Sequence, residues 1–82
     1  MSTDEILSSE IKKWTKRAEE KMKTVSGDPK FLNNINAYIK DSKYFFEKND
    51  LVRSFESIIW AWAWLEIGED VGKIRGNAKK VS

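Results

Sequence analysis

Apolar residues recur along the first part of the chain at Leu7, Ile11, Trp14, Ala18, Met22 and Val25. Steps of three and four residues trace one face of an α-helix and exclude a strand. Lys12, Lys13, Lys16, Arg17, Glu19, Glu20 and Lys23 fill the opposite side. Thr3, or Ser2 before it, is the expected N-cap, with Asp4 and Glu5 in the first turn. Ser26-Gly27-Asp28-Pro29 then stops the helix. Gly27 suits the left-handed position after a helix end, Asp28 can cap the next helix, and Pro29 fits its first turn. A second helix from Pro29 to Lys48 carries Phe31, Ile35, Tyr38, Ser42 and Phe45 on one stripe. Leu32, Ile39 and Phe46 form an adjoining one, so this helix can contact two neighbours. Asn49 as C′ residue and Asp50 as the next N-cap make a tight connection between antiparallel helices.

In the third segment Leu51, Phe55, Ile58, Ile59, Trp62 and Leu65 repeat at helical spacing. At about 100° per residue they occupy a sector of roughly 120°. Trp60, Trp64, Ile67 and Val71 repeat in the same way, centred nearly opposite. This helix therefore has two apolar faces, with Trp62 expected inward and Trp60 and Trp64 outward. The alternation Trp60-Ala61-Trp62-Ala63-Trp64 also has the period of a strand. The strand is the weaker reading: both its sides would be apolar, alanine favours helix, and the helical repeat begins well upstream at Leu51. Gly68 and Gly72 weaken the far end, with a natural stop near Gly76.

These patterns predict an all-α fold, an antiparallel up-down-up three-helix bundle. The helices are expected over about 3–25, 29–48 and 50–75, in a single domain of residues 1–76 followed by a flexible basic tail over 77–82. The expected core is Leu7, Ile11, Trp14, Ala18, Met22, Phe31, Leu32, Ile35, Tyr38, Ile39, Phe45, Phe55, Ile58, Ile59, Trp62 and Leu65.

The run Asp41-Ser42-Lys43-Tyr44-Phe45-Phe46-Glu47-Lys48-Asn49-Asp50 is followed by Arg53-Ser54-Phe55-Glu56 and by Trp60-Ala61-Trp62-Ala63-Trp64-Leu65-Glu66-Ile67-Gly68. This stretch resembles the archaeal family catalogued as domain of unknown function 357. A tyrosine-rich helix, a turn with an acidic residue, and a helix with alanine and tryptophan ending in leucine, acid and glycine recur there. The match is best over residues 38–68 and looser in the first helix. Asn49 stands where the family pattern has glycine, a swap that left-handed backbone tolerates. The resemblance implies an archaeal source and a three-helix bundle, and it implies no activity. The same hairpin is also similar to one tetratricopeptide unit and to the HEPN helical hairpin. A lone tetratricopeptide cannot bury its core, and HEPN ribonucleases use a histidine that this chain lacks, so both likenesses concern shape.

Composition narrows the chemistry. The chain of 82 residues has no Cys and no His, which removes disulfides, thiolate zinc sites and the usual general base. Catalytic residues, metal ligands and cofactors are accordingly expected to be absent. The serines have no histidine to activate them, and the glycines match no phosphate-binding loop. Glu66, Glu69 and Asp70 read as a solvated helix end. Neither a signal peptide nor a membrane span is expected, since the dense apolar stretch Ser57–Leu65 is far shorter than the roughly 20 residues a span needs. A cytoplasmic protein follows as the expectation. The net charge of +2 divides unevenly: residues 51–72 hold one base and four acids, whereas 73–82 hold four bases and no acid.

Function is therefore expected from a surface, in a non-enzymatic protein that works by binding. Trp60, Trp64, Ile67 and Val71 form the expected protein interface, used for a homodimer or for another protein. The competing reading packs the first helix across this side and makes all three clustered tryptophans core. A nucleic-acid partner is the alternative, contacted by Lys73, Arg75, Lys79 and Lys80 with the first-helix lysines.

Overall fold

Each helix starts on a local signal, and the second and third also stop on one. The computed structural model describes residues 2–76, with α1 at Thr3–Met22, α2 at Pro29–Glu47 and α3 at Leu51–Asp70. Ser2 caps α1 in a capping box, its hydroxyl accepting from the Glu5 amide while the Glu5 carboxylate accepts from the Ser2 amide. Asp28 caps α2 ahead of Pro29, and Asp50 caps α3 by accepting from the Arg53 amide. α2 ends with Asn49 at φ 61°. There the Asn49 amide donates to the Phe46 carbonyl and the Asp50 amide to that of Phe45, the two bonds of a Schellman motif.

α3 ends the same way, five residues short of the expected limit at 75. Gly72 takes φ 78°, its amide donates to the Glu69 carbonyl, and the Lys73 amide donates to the Gly68 carbonyl. The chain then turns back as β2, Ile74–Gly76, antiparallel to β1, Val25–Gly27. Val25 pairs with Gly76 and Gly27 with Ile74. α1 likewise stops at Met22, short of the expected 25, because Val25 belongs to β1. Gly27 is not a helix-terminal left-handed residue: its φ of 151° lies in the ribbon beside β2. The fold is an all-α three-helix bundle closed at one end by this two-stranded ribbon, which places Ile74 in the core. The remaining tail, 77–82, lies outside the described residues.

Ile11, Ala18, Ile35, Ile39, Ile58, Ala61, Leu65 and Ile74 are buried at the centre. α3 lies between its neighbours and shares its larger interface with α2. The face it turns inward is Ser54, Ser57, Ile58, Ala61, Leu65 and Gly68. Four of these six are Ser, Ala or Gly, and small side chains allow helix axes to approach closely. Ser42 of α2 and Ser54 clasp across the contact: each hydroxyl donates to the other's backbone carbonyl, at 2.8 and 2.7 Å. Burial leaves neither hydroxyl unpaired. This seam is rotated by about 80° from the sector of large residues expected to face inward. Ile59 is the expected core residue that rotation displaces; it is 45% exposed.

Candidate functional site

The small-residue seam sends the large side chains of α3 to its flanks. On the α1 flank Trp62 meets Trp14 edge to face at 5.9 Å and donates its indole N–H to the Trp14 carbonyl. On the α2 flank Trp64 packs edge-on against Phe31 at 5.6 Å, and Trp60 stacks over Tyr38 at 6.5 Å. α3 thus sends tryptophans toward both neighbouring helices. Trp62 is half-buried against α1, and Trp60 is 53% exposed. Trp64 departs from expectation: it is half-buried in the groove with α2.

Opposite the seam an apolar stripe remains on α3. Val52, Ile59, Trp60 and Ile67 are exposed along it, Ala63 is half-buried between them, and Val71 is exposed at the helix end. The sequence reading contained Trp60, Ile67 and Val71 and missed Val52, Ile59 and Ala63. Their signal was present in the spacing of 52, 59 and 63, but it emerges only when the helix is viewed from its small-residue side. Glu56, Glu66 and Asp70 are exposed on the same side. Glu69 is turned to α1, where its carboxylate lies 3.2 Å from the Lys21 ammonium.

The residues expected to contact nucleic acid are not gathered on one helix. Lys73 sits in the turn before β2, its carbonyl accepting from the Asp28 amide and its ammonium 3.8 Å from the Asp28 carboxylate. Arg75 is exposed on β2, while Lys79 and Lys80 lie outside the described residues.

The Glu10 carboxylate is perturbed. Glu10 accepts from the Lys13 ammonium at 2.9 Å and from the Trp14 indole at 3.2 Å. The Lys13 bond chiefly, then that of Trp14, holds its pKa below the ordinary glutamate value. A lowered carboxyl pKa adds stability above the unfolded value and loses it as pH falls through the folded one. A carbon-detected NMR titration should find the Glu10 midpoint depressed, and Lys13→Gln should move it back up. An unmoved midpoint in that variant would remove Lys13 as the main cause.

The family model described as "Protein of unknown function (DUF357)" matches residues 4–74. The crystal structure of a protein from Archaeoglobus fulgidus, with the same family label, is similar at a TM-score of 0.90 and 55% identity. The similarity covers 93% of this chain and 100% of that one. No curated protein matches the chain.

Proposed function

The chain belongs to the DUF357 family, whose description carries no activity, and from that premise we propose that it is a non-enzymatic interaction protein whose working surface is the outer face of α3. The observation that carries this reading is the apolar stripe of Val52, Ile59, Trp60, Ala63 and Ile67 along one helix. Contiguous exposed apolar surface on a small domain marks contact sites. Tryptophan anchors such contacts best when its rotamer is already fixed, and the stack on Tyr38 holds Trp60 in place. The absence of His and Cys from the sequence supports a role in binding over one in catalysis.

Charge selects between a second copy and another protein. Glu56, Glu66 and Asp70 accompany the stripe, and the one base of α3, Arg53, is engaged with Asp50 and with the Phe45 ring. A second copy would bring the same acids against this row, and like charges across an interface are unfavourable. The proposed partner is therefore another protein, one presenting an amphipathic helix with Lys or Arg around its apolar stripe. No helix among the described residues is long and apolar enough to cross a membrane, and the proposed setting is the cytoplasm.

Sedimentation equilibrium should return a monomer mass for the wild type. A synthetic Leu/Lys amphipathic helical peptide should bind it, and Trp60→Glu should weaken that binding by about thirtyfold. Because Trp60 is half exposed, circular dichroism of the variant should be unchanged. A dimer mass abolished by Trp60→Glu would transfer the surface to self-association. Equal peptide binding by both proteins would exclude this face altogether.

A further inference from the structure

α1 and α2 are the pair of helices that touch least, and between them lies a groove of about 380 Å³. Ile11, Thr15 and Ser42 line it together with Phe46, Lys12, Lys16 and Lys43. Ligand pockets begin at roughly 300 Å³, so the space suits a small organic molecule. Ser42 is already committed to the clasp with Ser54. Thr15 is not: it is 8% exposed, and its Oγ1 is buried without a hydrogen-bond partner. An unpaired buried hydroxyl is unfavourable in ordinary cores. Threonine on a helix populates two χ1 rotamers, and Thr15 lines the groove.

The charges around this hydroxyl are unequal. Lys43 is paired with Glu19 across the groove. Lys12 lies over the Phe46 ring at 5.7 Å, and Lys16 has no ion pair among the described residues. With Glu19 engaged by Lys43, Glu47 is the remaining carboxylate of this groove, and Lys12 also lines an adjoining recess with Asp4 and Glu5. Beneath the two lysines, the half-buried Phe46 offers apolar surface, with Ile11, 2% exposed, at the floor of the groove.

We infer that the groove between α1 and α2 is a binding site for a small aromatic anion, its ring against Ile11 and Phe46 and its charged head between Lys12 and Lys16 and the Thr15 hydroxyl. Lysine ammoniums act as point charges suited to a phosphate head. The single arginine of α1, Arg17, is turned away over the Trp14 ring at 4.9 Å. The groove and the α3 stripe are lined by different residues, so this site stands or falls independently of the proposed partner surface.

An NMR titration with phenyl phosphate, alongside inorganic phosphate and benzyl alcohol, tests the assignment. Saturable shifts should appear at Ile11, Thr15, Ser42 and Phe46, with phenyl phosphate bound about tenfold tighter than either half-ligand. Lys16→Gln should weaken binding roughly threefold, as expected for an exposed charge. Thr15→Val is the sharper variant. It should weaken phenyl phosphate about fivefold and yet raise the urea midpoint, because it removes a buried hydroxyl that lacks a partner. Inorganic phosphate binding as tightly, with shifts spread over surface lysines, would reduce the site to general charge attraction and overturn it. So would affinities unchanged in both variants, or an absence of saturation.

Discussion

Ser54→Leu should destabilise the protein by about 3 kcal/mol or more, far beyond what loss of the exposed Trp60 does. Ser54 is fully buried where α3 meets α2, its hydroxyl donating to the Ser42 carbonyl at 2.7 Å and its carbonyl accepting from the Ser42 hydroxyl. Leucine adds a branched side chain to a contact built for a hydroxymethyl group, and overpacking alone is unfavourable by about 1–3 kcal/mol. It also removes one arm of the clasp and leaves the Ser42 carbonyl without that donor, adding about 1 kcal/mol or more. A domain of this length has a total stability of only about 4–12 kcal/mol, so the loss is a large fraction of the whole. Trp60→Ala, which deletes a larger side chain from a half-exposed position, should lower stability by only about 1 kcal/mol, chiefly its stacking on Tyr38. Urea unfolding followed by far-ultraviolet dichroism measures both. If Ser54→Leu proved milder than Trp60→Ala, α2 and α3 would not be closely apposed at the clasp.

The same seam explains which parts of the fold were legible in the sequence. Ser2, Asp28, Asn49 and Asp50 were readable because a cap depends on bonds within a few residues of itself. The inward face of α3 was not, because periodicity was weighed by apolar bulk. Ser54 and Ser57 count as polar in such a pattern, yet both are small enough for a close helix contact, and the Ser54 hydroxyl finds the Ser42 carbonyl there. Rotating α3 toward these small residues moved Ile59 out to solvent and brought Trp64 against Phe31. The ribbon was illegible for a different reason. Three residues cannot display an alternation, and Val25 and Gly76 are joined only by tertiary pairing. Ile67, Val71 and Ile74 keep helical spacing past Gly72, so the pattern continued after the helix had stopped.

The candidate surface was legible in part for the same physical reason. Trp60, Ile67 and Val71 are exposed as expected, because residues nearly opposite the large-residue sector stay outside when the helix turns by less than a quarter of a revolution. What the rotation changed is the centre of the exposed stripe, which shifts toward Ile59 and Ala63 and so toward Glu56 and Glu66. That shift sets Glu56 and Glu66 beside the apolar stripe, and these acids are the ground on which a basic helix, over a second copy, is proposed as the partner.

Gly27→Ala should be the most damaging single-methyl change among the glycines, at about 3 kcal/mol. Gly27 holds φ 151°, a conformation L-residues avoid, and a Cβ there would lie 2.1 Å from the Lys73 carbonyl oxygen and 2.9 Å from the Ile74 Cα. These are backbone atoms and cannot swing aside. Their position is fixed from both directions, because the Lys73 carbonyl accepts from the Asp28 amide at 2.8 Å and the Lys73 amide donates to the Gly68 carbonyl at 2.8 Å. Relieving the clash means parting β1 from β2, which uncovers Ile74 and breaks the bond between Lys73 and Asp28, the residue that caps α2. Gly72→Ala is the control: its φ of 78° also disfavours a side chain, but nothing lies within 4 Å of the added Cβ, so only the left-handed penalty of about 1–2 kcal/mol applies. Hydrogen exchange should then show the Asp28 amide losing protection in Gly27→Ala while amides of α2 and α3 near the Ser42–Ser54 clasp retain theirs. Equal stability of the two variants would mean that the ribbon yields freely at this position and contributes little to closing the bundle.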